Sequence, residues 1–138
     1  MTRDTFTLKT AIIENFGTPC AVIDLNVVER NIKRAQILCE NAGVKNRPHI
    51  KTHKSPLLAK MQIAAGDKGI TCQKLGEAEV MANNGITDII IATNLLGAAR
   101  SGRLASLQRR MPLKVCSDNL VSLAAYSDAA REAERVLD

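Results

Sequence analysis

Residues 69–92, GITCQKLGEAEVMANNGITDIIIA, contain two short apolar runs separated by a helix-forming stretch. The runs at 69–73 and 88–92 are rich in β-branched residues and bounded by glycine or polar residues, so each predicts a strand. Residues 74–84 predict a helix, and Gly85 is suited to end it. The second run is almost wholly apolar, which is typical of a parallel strand buried on both faces. The stretch therefore predicts a parallel strand–helix–strand unit.

The same alternation continues on both sides of this unit. Further strands are predicted at 19–24 (PCAVID), 47–51 (RPHIK) and 112–116 (PLKVC), and further helices after Asn26, after Ser55, at 98–109, and from Asp118 or Asn119 to about residue 137. Strands and helices that alternate with short connections indicate an α/β protein built from parallel units. The length of each unit fits a partial (β/α)8 TIM-type barrel, with about four barrel strands and alternating helices. A small open fold of flavodoxin type is the alternative.

Residues suited to helix ends stand where the predicted helices need them. Asn26 is suited to cap a helix whose apolar positions repeat every three or four residues as far as Ala42, and Gly43 is suited to end it. Ser55 followed by Pro56 predicts an N-cap and a first helical position. These signals support the predicted helices independently of their apolar pattern.

We expect residues 1–17 to form an N-terminal extension and residues 18–138 to form the N-terminal portion of the barrel. No internal repeat and no linker rich in glycine or proline divides the chain. A parallel sheet of about four or five strands that stopped here would leave an apolar edge exposed. The sequence is therefore expected to be part of a longer barrel.

The composition argues against several classes of function. The chain is 46% hydrophobic, and no apolar run approaches the length of about 18 residues that spans a membrane. The net charge of +5 comes from scattered basic residues interleaved with acidic ones, and only 2% of residues are aromatic. A solvated basic surface explains this pattern better than a nucleic-acid site does. The chain begins without a continuous apolar leader, so we expect a cytoplasmic protein with neither nucleic-acid nor membrane partners.

The four cysteines show neither disulfide nor zinc spacing. They stand at Cys20, Cys39, Cys72 and Cys116, each in an apolar context and none paired as CxxC. Cysteine in such a context behaves as a small hydrophobe. We therefore expect free, buried thiols in a reducing compartment.

The chemically informative segment is 47–54, RPHIKTHK. Alternate side chains of a strand share a face, so Arg47, His49, Lys51 and His53 are expected on one side. A lysine that is partly desolvated beside other cations has a lowered pKa, which makes it a usable amine nucleophile. Lys51 is thus the candidate for a Schiff base, while an exposed edge strand or basic loop is the alternative interpretation.

Polar residues at other predicted strand ends extend this candidate site. Gln73, Thr93 and Asn94 follow apolar strands, where ligand sites of β/α folds lie, although each also suits a cap or turn. His49 and His53 are candidates to orient a ligand or to move a proton. Two histidines without a third ligand do not predict a metal site.

Three segments together resemble a known family. They are TPCAVIDLNVVERNI at 18–32, RPHIKTHK at 47–54 and GITCQKLGEAEVMANNGITDIIIATNLLG at 69–97. They resemble the fold type III pyridoxal-phosphate (PLP) enzymes, which have an alanine racemase-like N-terminal barrel. Within that group they are similar to the branch of D-threonine aldolases, D-serine dehydratases and 3-hydroxy-D-aspartate aldolases and dehydratases. The resemblance runs from about residue 18 to about residue 117.

The resemblance implies a cofactor and a set of site residues. PLP is expected as the cofactor, bound to Lys51 as a Schiff base. From their places near the same predicted strand ends, and not from the resemblance, His49, Gln73, Thr93 and Asn94 are the other candidate cofactor-binding residues. In this family the segment that corresponds to 19–24 joins a later β domain and is not a barrel strand.

The resemblance also implies an activity. We expect a lyase that cleaves D-3-hydroxy amino acids by a retro-aldol reaction, as D-threonine aldolases do. The alternatives are a dehydratase acting on D-serine or 3-hydroxy-D-aspartate, and a non-catalytic PLP-binding protein or inactive fragment. Full-length relatives hold a divalent metal through a histidine and a cysteine near their C-terminus, which this sequence lacks. A homodimer is expected only for a full-length parent.

Overall fold

The computed structural model describes residues 3–138, with side chains from residue 5 onward. These residues form two compact units that meet in sequence between Arg30 and Asn31. The helices are α1 (Arg3–Phe16), α2 (Leu25–Asn41), α3 (Pro56–Ala64), α4 (Leu75–Asn83), α5 (Ala98–Arg110) and α6 (Leu120–Ala133), and the strands are β1 (Ile70–Cys72), β2 (Ile89–Ile91) and β3 (Leu113–Val115). Strands alternate with helices from β1 onward, as the sequence predicts.

The three strands form one parallel sheet in the order β1-β2-β3. Ile70 pairs with Ile89, which pairs with Leu113, and all three are buried. The middle residues of the strands, Thr71 and Ile90 among them, are only half-buried because they point to the opposite face. The buried face packs with residues of α4, α5 and α6 in one aliphatic core. This arrangement confirms the predicted α/β class.

The strand predicted at 47–51 is replaced by a single bridge and a turn. His49 bridges in parallel to Thr71, and a one-turn 3₁₀ helix, Ile50–Thr52, follows immediately. The Nδ1 atom of His49 accepts a hydrogen bond from the backbone N–H of Lys51 at 3.2 Å, which stabilises the turn in place of continued pairing. The prediction that residues 47–53 alternate across a strand is therefore wrong beyond His49.

The first unit also differs from the sequence prediction. Residues 19–24 form no strand in the described structure, and α1 lies within the extension for which no helix was predicted. Asp24 caps α2 instead of Asn26, because its Oδ1 atom accepts hydrogen bonds from the backbone N–H groups of Asn26 at 2.9 Å and Val27 at 3.3 Å. A carboxylate one residue before the helix satisfies two donors that would otherwise lack partners.

Several predicted helix ends are confirmed. The hydroxyl of Ser55 accepts from the backbone N–H of Leu58 at 3.4 Å at the start of α3. Asn119 caps α6 in the same way. Gly43 follows α2 with φ of +65°, a conformation that favours glycine.

The last helix is shorter than predicted. Helix α6 ends at Ala133, where Glu134 adopts a left-handed conformation with φ of +54°. The chain then returns to the sheet, where the backbone N–H of Val115 donates to the carbonyl of Asp138 at 2.8 Å. The N–H of Asp138 donates in turn to the carbonyl of Leu113 at 3.3 Å. The final residues therefore lie along the outer edge of β3 instead of extending the helix.

The four cysteines are free, but only one is fully buried. Cys72 at the end of β1 is buried, and burial raises the pKa of its thiol to about 12. Cys39 is half-buried, whereas Cys20 and Cys116 are exposed. The prediction of buried thiols is thus wrong for Cys20, which lies in irregular backbone before α2, and for Cys116, which directly follows β3. Across residues 3–138, no helix is long and apolar enough to cross a membrane.

Candidate functional site

Lys51 lies on the 3₁₀ turn directly after the bridge to β1. The turn is anchored by Ile50, which is fully buried and whose carbonyl accepts from the N–H of Lys54 at 2.8 Å. The side chain of Lys51 is exposed, so the partial burial expected from the sequence is not found. Within the described part of the chain, its amine forms neither a hydrogen bond nor an ion pair. The structure therefore presents an uncommitted primary amine on an anchored turn.

His49 connects this turn to the end of β1. Its Nε2 atom lies 3.0 Å from Oε1 of Gln73, which can only accept. Its Nδ1 atom accepts from the N–H of Lys51, so the neutral tautomer with the proton on Nε2 satisfies both contacts. Both ring nitrogens are thus occupied, and the geometry favours an orienting role for His49 over proton transfer.

Gln73 and Thr93 join the ends of β1 and β2. The hydroxyl of Thr93 donates to the backbone carbonyl of Gln73 at 2.6 Å. Asn94 is directed elsewhere, because its Nδ2 atom donates to Asp118 after β3 at 2.6 Å. The Oδ1 atom of Asn94 is buried without a partner among the described residues. The structure therefore brings Gln73 and Thr93 together with His49, and Asn94 lies in the same loop as Thr93 but contacts the next connection.

His53 is separated from this set by its contacts. Its Nδ1 atom accepts from the backbone N–H of Ser55 at 3.0 Å, and its Nε2 atom is buried without a hydrogen-bond partner in the described structure. Burial lowers the pKa of His53 below its ordinary value, which favours the neutral ring at pH 7. The predicted role of His53 in proton transfer is untested, and the contacts show that it fixes the loop before α3.

Glu77 organises the site, although the sequence analysis did not select it. Its side chain is only 10% exposed and its Oε2 atom accepts from the backbone N–H of Gln73 at 2.8 Å. Its Oε1 atom lies 3.6 Å from Nζ of Lys54, three residues beyond Lys51. The available signal was an acidic residue in the first turn of α4, where carboxylates stabilise free backbone N–H groups.

Arg47 stabilises the fold, and its guanidinium bonds Asp88 instead of the residues around Lys51. Its guanidinium donates to Oδ2 of Asp88 at 2.9 Å and to the backbone carbonyl of Asp88 at 3.2 Å. Lys114 of β3 donates to Oδ1 of the same carboxylate at 3.1 Å. The hydrogen bond from Arg47, with a further contribution from Lys114, holds the pKa of Asp88 below its ordinary value. One carboxylate thus compensates two of the cations that the sequence brings to the sheet.

Replacing Asp88 with asparagine is expected to destabilise the protein more at neutral pH than in acid. The pKa of Asp88 is lower in the folded state, so its stabilising effect is complete above the unfolded value of about 3.9 and is lost as the pH falls through the folded value. Urea unfolding at about pH 7 and about pH 3 checks this. The difference in free energy of unfolding between wild type and Asp88→Asn should shrink in acid.

Asp128→Asn is the matched control, because Asp128 pairs with Arg131 on an exposed helix face at 3.2 Å. Exposed pairs contribute little, so this variant should differ little from wild type at either pH. Burial raises the pKa of Asp67, so its contribution to the free energy of unfolding falls as the pH rises. All three proteins contain Asp67, so this effect cancels when they are compared. If the free energy of unfolding differed between wild type and Asp88→Asn by the same amount at both pH values, the prediction would be wrong.

A cationic cavity opens beside these residues at the carboxyl edge of the sheet. It has a volume of about 580 Å³ and is lined in part by Gln73, Thr93, Asn94 and Glu77 and by the cations Lys54, Lys74, Arg100 and Arg103. Lys54 pairs with Glu77 and Arg103 pairs with Glu79, and Lys51 lies outside this lining. The exposed amine of Lys51 suits the aldehyde group of PLP, and Lys74 and Arg100, the cavity cations without an ion pair among the described residues, suit a phosphate group, so these residues fit PLP. Among the described residues, no group of three His, Cys, Asp or Glu side chains is placed to hold a metal ion.

Comparison with known proteins finds relatives of this chain among enzymes. The chain is 38% identical over 121 residues to the D-threonine aldolase of an Arthrobacter species, covering 88% of this chain and 32% of that protein. It is 40% identical over 115 residues to the D-threo-3-hydroxyaspartate dehydratase of Delftia sp. (strain HT23), covering 83% of this chain and 30% of the relative. The chain therefore spans about a third of the length of these relatives.

A solved structure agrees with the sequence comparison. The crystal structure of D-threonine aldolase from Filomicrobium marinum superposes with a TM-score of 0.84 at 36% identity, over 88% of this chain and 33% of that one. This similarity supports the partial barrel over an open fold of flavodoxin type. Residues 23–138 match the family described as alanine racemase, N-terminal domain. The chain belongs to this family.

Proposed function

We propose that this chain is part of a PLP-dependent lyase that cleaves D-3-hydroxy amino acids by a retro-aldol reaction. The observation that supports this most directly is the uncommitted amine of Lys51 on a turn fixed by His49. The similarity to D-threonine aldolase supports the reaction type. The amine lies at the carboxyl edge of a parallel sheet, where reactive groups of β/α barrels are found.

The residues of this chain would bind and orient the cofactor. Lys51 would hold it covalently through Nζ, and Lys74 and Arg100 of the cavity would favour its phosphate. When bound, PLP supplies an electron sink for the bond that breaks at the α-carbon. His49 would keep the Lys51 turn in place through its two ring nitrogens, and Gln73 would keep the His49 ring in one orientation.

A dehydratase acting on 3-hydroxy-D-aspartate or D-serine is the second candidate. It is favoured by the 40% identity to D-threo-3-hydroxyaspartate dehydratase, which is as high as the identity to the aldolase. The two reactions differ in the bond that breaks, Cα–Cβ in the aldolase and Cβ–O in the dehydratase. Product analysis separates them, because cleavage gives glycine and an aldehyde whereas dehydration gives a keto acid and ammonia.

The first experiment is covalent trapping of the cofactor on the purified chain. PLP is added, borohydride reduces any imine formed with lysine, and peptide mass mapping locates the label. The proposal expects one pyridoxyl label, on Lys51. Labelling spread evenly over many lysines, or none at all, would instead indicate an inactive fragment. Specific labelling without turnover of any D-3-hydroxy amino acid would indicate a non-catalytic PLP-binding protein.

The remaining properties follow from this proposal. The partner is a small D-amino acid, and we place the protein in the cytoplasm because its four cysteines are unpaired. A homodimer is proposed for a full-length parent only. In such a parent a divalent metal is expected as well.

A further inference from the structure

Tyr126 is the only tyrosine of the chain, and its hydroxyl joins two loops at the carboxyl edge of the sheet. The residue lies on α6 and is 4% exposed. Its oxygen accepts from the backbone N–H of Leu95, after β2, at 2.9 Å. The same oxygen lies 3.1 Å from the carbonyl of Thr93 and 3.2 Å from the carbonyl of Cys116, after β3. One phenol thus connects the β2–α5 loop to the β3–α6 loop.

The hydroxyl of Tyr126 is a polar group in a hydrophobic core. The core around Tyr126 is otherwise aliphatic, and a buried hydroxyl costs free energy unless it is hydrogen-bonded. Here it finds one donor and two acceptors, all of them backbone groups of the loops. The phenol therefore fixes backbone positions that packing of an apolar ring alone would leave free.

The loop that Tyr126 holds is connected to Lys51 by hydrogen bonds. Thr93, whose carbonyl accepts from Tyr126, donates through its own hydroxyl to Gln73. The side chain of Gln73 meets His49, and His49 accepts from the N–H of Lys51. Four successive contacts thus run from α6 across the ends of β2 and β1 to the turn that bears the amine.

We propose that Tyr126 is a positioning residue of the Lys51 site. Its hydroxyl holds the loop after β2, and this loop in turn holds Gln73 and the His49 ring in the orientation that fixes the Lys51 turn. The role of the site in binding PLP rests on the proposed function. The four contacts from Tyr126 to Lys51 are present in the chain without cofactor.

The test compares Tyr126→Phe, which keeps the ring and removes the hydroxyl, with Ser127→Ala. Ser127 is the next residue of α6, is exposed, and loses only a bond from Arg131 at 3.2 Å. Two signals are followed without cofactor: amide hydrogen exchange of Leu95 and the ring ¹⁵N shifts of His49. In Tyr126→Phe, exchange at Leu95 should rise about 3- to 10-fold, the factor expected for one lost hydrogen bond, and His49 should lose its single tautomer.

Borohydride trapping is measured on the same variants. Labelling of Lys51 at limiting PLP should fall about 3- to 10-fold in Tyr126→Phe and stay at the wild-type level in Ser127→Ala. Faster exchange at Leu95 with unchanged His49 shifts and unchanged trapping would overturn the proposal, because the hydroxyl would then be purely structural. Absence of labelling in wild type refutes the proposed function instead, and the His49 shifts still decide the role of Tyr126.

Thr93→Val provides a second variant if Tyr126→Phe does not fold. It removes the hydroxyl that donates to Gln73 and leaves the buried core untouched, because Thr93 is only half-buried. It should alter the His49 shifts and Lys51 trapping as Tyr126→Phe does, while exchange at Leu95 stays unchanged. Wild-type His49 shifts in Thr93→Val would show that the path does not exist.

Discussion

Replacing Lys51 with alanine is expected to abolish specific trapping of PLP and to lower any lyase turnover on the order of 10³-fold or more. The reason is chemical, because the exposed amine of Lys51 is the group that the proposed mechanism uses to hold the cofactor covalently. Stability should hardly change, because the exposed side chain forms neither a hydrogen bond nor an ion pair in the described structure. Borohydride trapping with peptide mapping, together with urea unfolding, measures both effects.

Lys60→Ala is the matched control for this variant. Lys60 is also an exposed lysine, but it lies within α3, away from the carboxyl edge of the sheet. It should retain the label on Lys51 and the wild-type turnover. Lys51→Arg should behave like Lys51→Ala, because it keeps the positive charge and lacks a nucleophilic amine. A Lys51→Ala protein that turned over substrate at the wild-type rate would refute the proposed role.

Replacing Gly69 with alanine is expected to lower the free energy of unfolding by about 3 kcal/mol. An added Cβ atom would overlap the backbone carbonyl of Asp88 and would lie 2.5 Å from Nη1 of Arg47 and 2.8 Å from Cβ of Asp88. Backbone and a bonded guanidinium cannot move aside cheaply. The substitution would therefore separate Arg47 from Asp88 at the base of β1 and β2. Chemical denaturation measures the loss.

Gly102→Ala tests whether this cost comes from crowding. Gly102 lies inside α5, and an added Cβ there would meet nothing within 4 Å. Alanine has the higher helix propensity, so this variant should be more stable than wild type by up to about 1 kcal/mol. Equal effects of the two substitutions would show that the crowding at Gly69 has been overestimated.

The strand–helix–strand unit could be predicted because its signals are local. The two apolar runs at 69–73 and 88–92 contain β1 and β2, and the helix between them begins and ends within one residue of its prediction. The segment at 47–51 was also predicted as a strand, but only His49 pairs with β1 and a 3₁₀ turn follows. There a histidine side chain bonds the backbone two residues on, and this contact competes with strand pairing.

The candidate site was predictable in its residue types and less so in its contacts. Lys51, His49, Gln73 and Thr93 were selected from their places at strand ends, and the structure joins the last three by hydrogen bonds. Tyr126 was missed because two of its hydrogen-bond partners, Leu95 and Thr93, lie more than 30 residues earlier in the sequence. Such pairings depend on how the loops meet, which periodicity does not encode.

The return of the chain to β3 bears on self-association. The outer edge of a parallel sheet offers unpaired N–H and C=O groups that can template pairing with another molecule. In this chain Asp138 occupies the N–H of Val115 and the carbonyl of Leu113. If residues 136–138 did not occupy this edge, both groups would lack partners and the edge of β3 would be open to pairing with another strand. The return of residues 136–138 to the sheet thus protects this edge from pairing between molecules.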